Sequence, residues 1–149
     1  ISIGATTPGG FYALAANREI CERKAAENSK PTYRADWSLV GPMHIAETKE
    51  DANKDVHIGI AKWVDYFKRA TGICLVPDGS DPTVTLVENG LAVIGTPDDA
   101  IAQIQRLEKE SGGFGTFLQL DHNWADWEKT KKSYDLFAKF VVPLFQARA

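Results

Sequence analysis

Three stretches decide the fold: Gly95-Thr-Pro-Asp-Asp-Ala-Ile-Ala-Gln-Ile-Gln105, the glycine-rich Gly112-Gly-Phe-Gly115, and the apolar run Phe117 to Leu120. Thr96 suits a helix cap, and Pro97 suits the first helical position, where its missing N–H would be without a partner in any case. Asp98 and Asp99 then lie against the positive end of the helix dipole. The glycines turn the chain into a strand that is apolar along its length. Such a strand, bracketed by helices, is what a parallel sheet covered on both faces requires. The unit belongs to an α/β fold.

Upstream, residues 1–6 read as a short buried strand, punctuated by Pro8, Gly9 and Gly10. Helix formers run from Phe11 to about Asn28, with Leu14, Ala15, Cys21 and Ala25 on one face, and the helix ends ahead of Pro31. Trp37 to Ala46 is the next apolar strand, and its Gly41-Pro42 pair predicts a bulge or an edge-like bend. Thr48-Lys-Glu-Asp51 is a capping box for a long helix whose stripe is Ala52, Val56, Ile60, Trp63, Val64 and Phe67. Thr71 to Ile94 carries Pro77, Gly79, Pro82 and Gly90 with no helical period. A structureless connection of that length is usually a lid or a binding loop, so residues 71–94 are expected to be a mobile lid. A last helix runs from about Trp124 to Phe145 with Trp127, Tyr134, Phe137, Val141 and Leu144 inward, and Pro143 is expected to kink or loosen its final turn.

Composition narrows the function. The chain has 149 residues, enough for one domain with a sizeable core, and its 44% apolar and 25% charged residues are ordinary for a globular protein. A net charge of −3 without a basic cluster argues against a nucleic-acid surface. No apolar run approaches the 18 or so residues of a membrane span. Cys21 and Cys74 lack metal-type spacing and read as unpaired cytosolic thiols. Ile1-Ser-Ile-Gly-Ala5 begins directly as a strand, without an initiator methionine or a signal-peptide pattern, and predicts a piece of a larger protein. The element order predicts three parallel neighbouring strands. A full (β/α)₈ barrel takes about 250 residues, so this chain has room for roughly the last three β/α units of one. Its open edges and an inner face carrying Ile3, Val40 and Leu118 predict a homo-oligomer or association with the missing N-terminal half.

Several stretches resemble one family, the luciferase-like flavin monooxygenases. Lys62-Trp-Val-Asp-Tyr-Phe-Lys-Arg-Ala-Thr-Gly-Ile73 is similar to the stretch entering that family's mobile loop, and Ile94 to Gln105 to the helix entering its last barrel strand. Phe137-Ala-Lys-Phe-Val-Val-Pro-Leu-Phe145 resembles its closing helix. Ile1 to Thr6 and His44-Ile-Ala-Glu-Thr48 resemble its sixth and seventh strands. The resemblance runs in order over essentially residues 1–149 and implies the C-terminal half of a TIM-type (β/α)₈ barrel. It further implies reduced FMN as cofactor, O₂ as co-substrate, a small apolar organic substrate, a flavin reductase as partner and a cytoplasmic location. The rivals are a relative using a deazaflavin and a non-catalytic, self-associating half-barrel module without a complete flavin site.

The resemblance also singles out residues. His44 falls near the C-terminal end of the second strand, where barrel enzymes place their chemistry. As a catalytic residue, a neutral imidazole can donate to a flavin peroxide or polarise a substrate carbonyl; the competing reading is a hydrogen-bonded core histidine. Alternation sets Val40, Pro42, His44 and Ala46 on one face, with Met43 and Ile45 on the other. Trp63 matches a tryptophan of the flavin region, against plain core packing. Ile3, Gly4 and Ala5 match the strand under the flavin ring, where Gly4 permits close approach; the alternative is a buried strand with a glycine bend. Thr6, Thr7, Gly9 and Gly10 form a turn suited to an anion. His57 and His122 read as solvated, and Trp124 and Trp127 as core anchors of the last helix. No metal cluster is read.

Overall fold

Trp37–Ile45 forms the nine-residue strand β2, to which three others pair, all in parallel. The computed structural model describes residues 2–5 and 10–146, with side chains from Ala13 onward. Before β2 come β1 (Ser2–Ala5), helix α1 (Gly10–Glu27) and a 3-10 turn (Arg34–Asp36). After it come α2 (Lys49–Thr71), α3 (Pro82–Glu88), β3 (Val93–Gly95), α4 (Pro97–Ser111) and β4 (Thr116–Leu120). The chain closes with α5 (Trp127–Leu136), a π-helical turn (Phe137–Val141) and α6 (Val142–Gln146).

The caps act as the sequence predicts. Thr48 accepts from the Asp51 backbone N–H at 3.1 Å, and the Asp99 carboxylate accepts from the Thr96 N–H and hydroxyl, each at 2.9 Å. Burial raises the Asp99 pKa. It is outweighed by those bonds to Thr96 and by Lys49, whose ammonium lies 2.9 Å away, and the net shift is downward.

One face of the sheet is covered and the other is open. Trp37, Leu39, Met43 and Ile45 point from β2 into two apolar clusters with Leu14 of α1, with Ile104 and Leu107 of α4, and with Val141. On the opposite face Ser38, Val40 and Pro42 are only half-buried, and Leu118 of β4, opposite Val40, is 42% exposed. A third cluster beyond the strand ends joins Ala46, Val56, Ile60, Leu86, Ile94 and Trp124.

Four expectations are corrected. Gly41-Pro42 makes no bulge: β2 and β4 run in unbroken register from Ser38↔Thr116 to Pro42↔Leu120. The β1 ladder ends at Val40 and the β3 ladder begins at Met43, so the donor that proline lacks falls at a change of partner. Residues 71–94 are not structureless: Asp81 caps α3, Leu86 is fully buried, and β3 adds a short fourth strand. The buried face of α1 carries Arg18, not Cys21; its guanidinium lies 5.7 Å from the Trp37 ring centroid and 2.9 Å from Glu22.

The last helix is also rotated from its expected face. Trp127 is 69% exposed, and Tyr134 and Leu144 are exposed too; Phe137 and Val141 pack inward as expected, joined by Thr130 and Ser133. Ser133 is needed inside because its hydroxyl accepts from the Ile45 backbone N–H at 2.9 Å, past the end of β4. The helix continues through Pro143, and the turn ahead of it is loosened into a π-helical one. The Val142 N–H reaches Phe137 O, five residues back.

Ser133→Ala leaves the Ile45 N–H buried without an acceptor. We expect a loss of about 1–3 kcal/mol of stability, read as a lower urea midpoint at unchanged slope. An unmoved midpoint contradicts the assignment.

Candidate functional site

Helix α2 carries Asp55, Gly59 and Trp63 at four-residue spacing, hence on one face. That stripe meets the chain just beyond the C-terminal ends of β2 and β4. Asp55 Oδ2 lies 3.2 Å from Nε2 of His44, which sits at the end of β2 and is 2% exposed. One turn along, Gly59 lies under the Trp124 carbonyl, where a Cβ would come within 2.2 Å of the oxygen. One turn further, the Trp63 ring packs against His122 at 5.1 Å, Trp124 at 5.4 Å and Phe67 at 5.4 Å between centroids. The small residue in the middle of the stripe is what lets the helix approach closely enough for both ends to engage.

The polar atoms of the cluster are unevenly satisfied. Lys129 of α5 holds the other Asp55 oxygen at 3.2 Å, and the hydrogen bond and charge of Asp55 raise the Lys129 ammonium above its ordinary value. Burial lowers the His122 pKa, with Asp121 opposing. Among the described residues, His44 Nδ1 and Trp124 Nε1 are buried without a hydrogen-bond partner. One buried acceptor or donor and one buried indole N–H thus accompany a set of flat aromatic faces. No group of three or more His, Cys, Asp or Glu side chains among the described residues could hold a metal. A separate groove of about 460 Å³ lies between α2, α3 and α4, lined by Lys49, Val84, Val87, Gln103 and Arg106 among others. It shares no lining residue with the His44–Trp63 cluster.

His44 and Trp63, both singled out from sequence, are therefore placed on the same side of α2, one at each end of its stripe. Met43 and Ile45 pack on the opposite side of the strand from His44, as the alternation predicts. Ile3, Gly4 and Ala5 pair with Ser38, Leu39 and Val40, and their side chains lie outside the described residues, as do Thr6, Thr7 and Gly9. His57 is exposed, but His122 is half-buried in the aromatic cluster, against the solvated position expected. Trp124 is an anchor of α2, not of the last helix, and Trp127 anchors nothing in the core. Asp55 and Lys129 were missed by sequence reasoning: each looks like an ordinary charged residue on a solvated helix face.

No family model matches the chain. It is 43% identical over 146 residues to limonene 1,2-monooxygenase of Rhodococcus erythropolis, covering 97% of this chain and 38% of that protein. It is 30% identical over 138 residues to 4-hydroxyprotoasukamycin monooxygenase of Streptomyces nodosus subsp. asukaensis, covering 89% and 36%. The chain thus spans well under half the length of these relatives. Its fold is similar to that of the oxygenating constituent of 3,6-diketocamphane monooxygenase from Pseudomonas putida, a type II Baeyer–Villiger monooxygenase solved in complex with FMN. The TM-score is 0.68 at 23% identity, covering 95% of this chain and 42% of that one.

The depressed His122 gives a pH prediction. The unfolded chain takes up the proton first, so the His122 contribution is intact above the ordinary value of 6.5 and is lost as pH falls below it. Melting temperature should therefore drop between about pH 7 and pH 5.5, and less steeply in His122→Gln. Parallel pH profiles contradict a half-buried His122 whose charged form is disfavoured by burial.

Proposed function

We propose that this chain is about the last three β/α units of a TIM-type (β/α)₈ barrel and forms part of a luciferase-like, FMN-dependent monooxygenase. The observation that carries the reading is the 43% identity to a limonene 1,2-monooxygenase across 97% of the chain. The half-exposed sheet face at Val40 and Leu118 supports the barrel part of it, since the inner face of a barrel is covered only by its other strands. That face also supports association with the rest of such a barrel or with a second copy. On this last ground alone a non-catalytic, self-associating half-barrel is the second reading.

The residues present fit a flavin. Trp63 and His122, both half-buried, would offer ring faces to a fused ring system, with buried Trp124 packed against them. The orphaned Trp124 Nε1 and His44 Nδ1 are the kind of groups its polar edge could engage. In this reading Trp63 and the β1 backbone at Ile3, Gly4 and Ala5 bind the cofactor, and His44 is the catalytic residue. Bound reduced FMN supplies the redox chemistry with O₂. The chain's own part is to orient the ring, to keep water from it, and to present His44 to a small apolar substrate. A flavin reductase would supply the reduced cofactor. Cys21 and Cys74 are free thiols, in keeping with a cytoplasmic setting. Val76 and Leu86 both anchor residues 71–94 to the core, which counts against movement of that segment as a lid.

Calorimetric titration of reduced FMN into this chain and into a chain of the relatives' full length tests the reading. We expect weak binding here and much tighter binding in the longer chain, whose remaining strands complete the site. Equal affinities, or no binding to either, contradict it.

A further inference from the structure

We propose that Asp55 is a positioning residue that keeps the His44 proton on Nε2, so that Nδ1 serves as a hydrogen-bond acceptor for an O–H or N–H group of a bound small molecule. The pairing stands on geometry alone; its use in turnover rests on the monooxygenase reading above. An ionised carboxylate only accepts hydrogen bonds, so the ring nitrogen facing it must be the one that carries hydrogen. Nε2 is that nitrogen, 3.2 Å from Asp55 Oδ2. A neutral imidazole has a single N–H, which leaves Nδ1 with a bare lone pair.

The carboxylate is itself held in place. Its two oxygens are divided between His44 and Lys129, each at 3.2 Å, and Lys129 of α5 also reaches Oδ2 of Asp126, the N-cap of the same helix, at 3.6 Å. Helices α2 and α5 therefore fix the oxygen that orients the ring, in the manner by which a buried aspartate sets the tautomer of a catalytic histidine. Most buried side-chain polar atoms in folded proteins have a hydrogen-bond partner. His44 has one engaged and one buried without a partner among the described residues. With the proton on Nε2 committed to Asp55, a singly protonated ring presents only an acceptor at Nδ1.

The test is the nitrogen spectrum of the ring in uniformly ¹⁵N-labelled protein, recorded where the imidazole is neutral. The chain has three histidines, so His57→Gln and His122→Gln assign His44 by elimination. We expect a pyrrole-type signal at Nε2, a pyridine-type signal at Nδ1 and a slowly exchanging Hε2 proton. Asp55→Ala should lose the slow Hε2 signal to solvent exchange. A wild-type ring protonated at Nδ1 overturns the proposal, as does an Hε2 proton equally protected in Asp55→Ala. Should that variant not fold, the wild-type spectrum decides alone. FMN plays no part in these spectra, so failure of flavin binding and failure of this pairing are separate results.

Discussion

A buried strand must find a partner for every backbone N–H and C=O it carries, and β2 meets that demand with several partners. β1 and β4 flank its first half, β3 takes over beyond Pro42, and the Ser133 hydroxyl serves Ile45 where β4 has ended. The Gln119 amide reaches Met43 O at 3.3 Å on the way. Each group left unpaired would cost about 1–3 kcal/mol, against a total stability of about 5–15 kcal/mol for a domain. Two failures along this strand would consume much of that total. The position of α5, the rotation of the last helix and the placing of Pro42 all follow from this demand.

The same strand delivers His44 to the site. Beyond its last paired residues the chain turns into α2, and the α2 stripe folds back over the strand ends. Gly59 is the hinge of that contact in a steric sense, since any side chain there would strike the Trp124 carbonyl. Asp55 and Trp63 can engage His44 and the aromatic cluster together because the residue between them has no Cβ. A second close approach, Gly115 against the Ala35 carbonyl, brings the start of β4 beside the turn before β2.

Local signals in the sequence were read well, and non-local ones were not. Thr48 with Asp51 and Thr96 with Pro97 announce helix starts because their partners lie within four residues. The α2 stripe is legible because its period persists from Ala52 to Phe67, about four turns. Helix α3 is hidden: it has seven residues and buries one, Leu86, too little for a period to appear. The last helix misled because five π-helical residues, Phe137–Val141, shift its register midway. His44 could be placed near a strand end by alternation. Its partner could not, because Asp55 is brought to it by the packing of a helix on a strand, and Lys129 arrives from 74 residues further along the chain (129 − 55).

In the proposed reading the rings of Trp63 and His122, packed on buried Trp124 beyond the strand ends, receive the flavin. The chain has four tryptophans, and each gives one indole N–H signal. Trp37 is buried beneath Arg18 of α1, and Trp127 stands exposed on α5. The most direct measurement is to follow the four indole signals by nuclear magnetic resonance while FMN is titrated in. The account predicts that the Trp63 and Trp124 signals move together and saturate while those of Trp37 and Trp127 stay in place. Movement of Trp37 or Trp127 alone, or of none of the four, would contradict it.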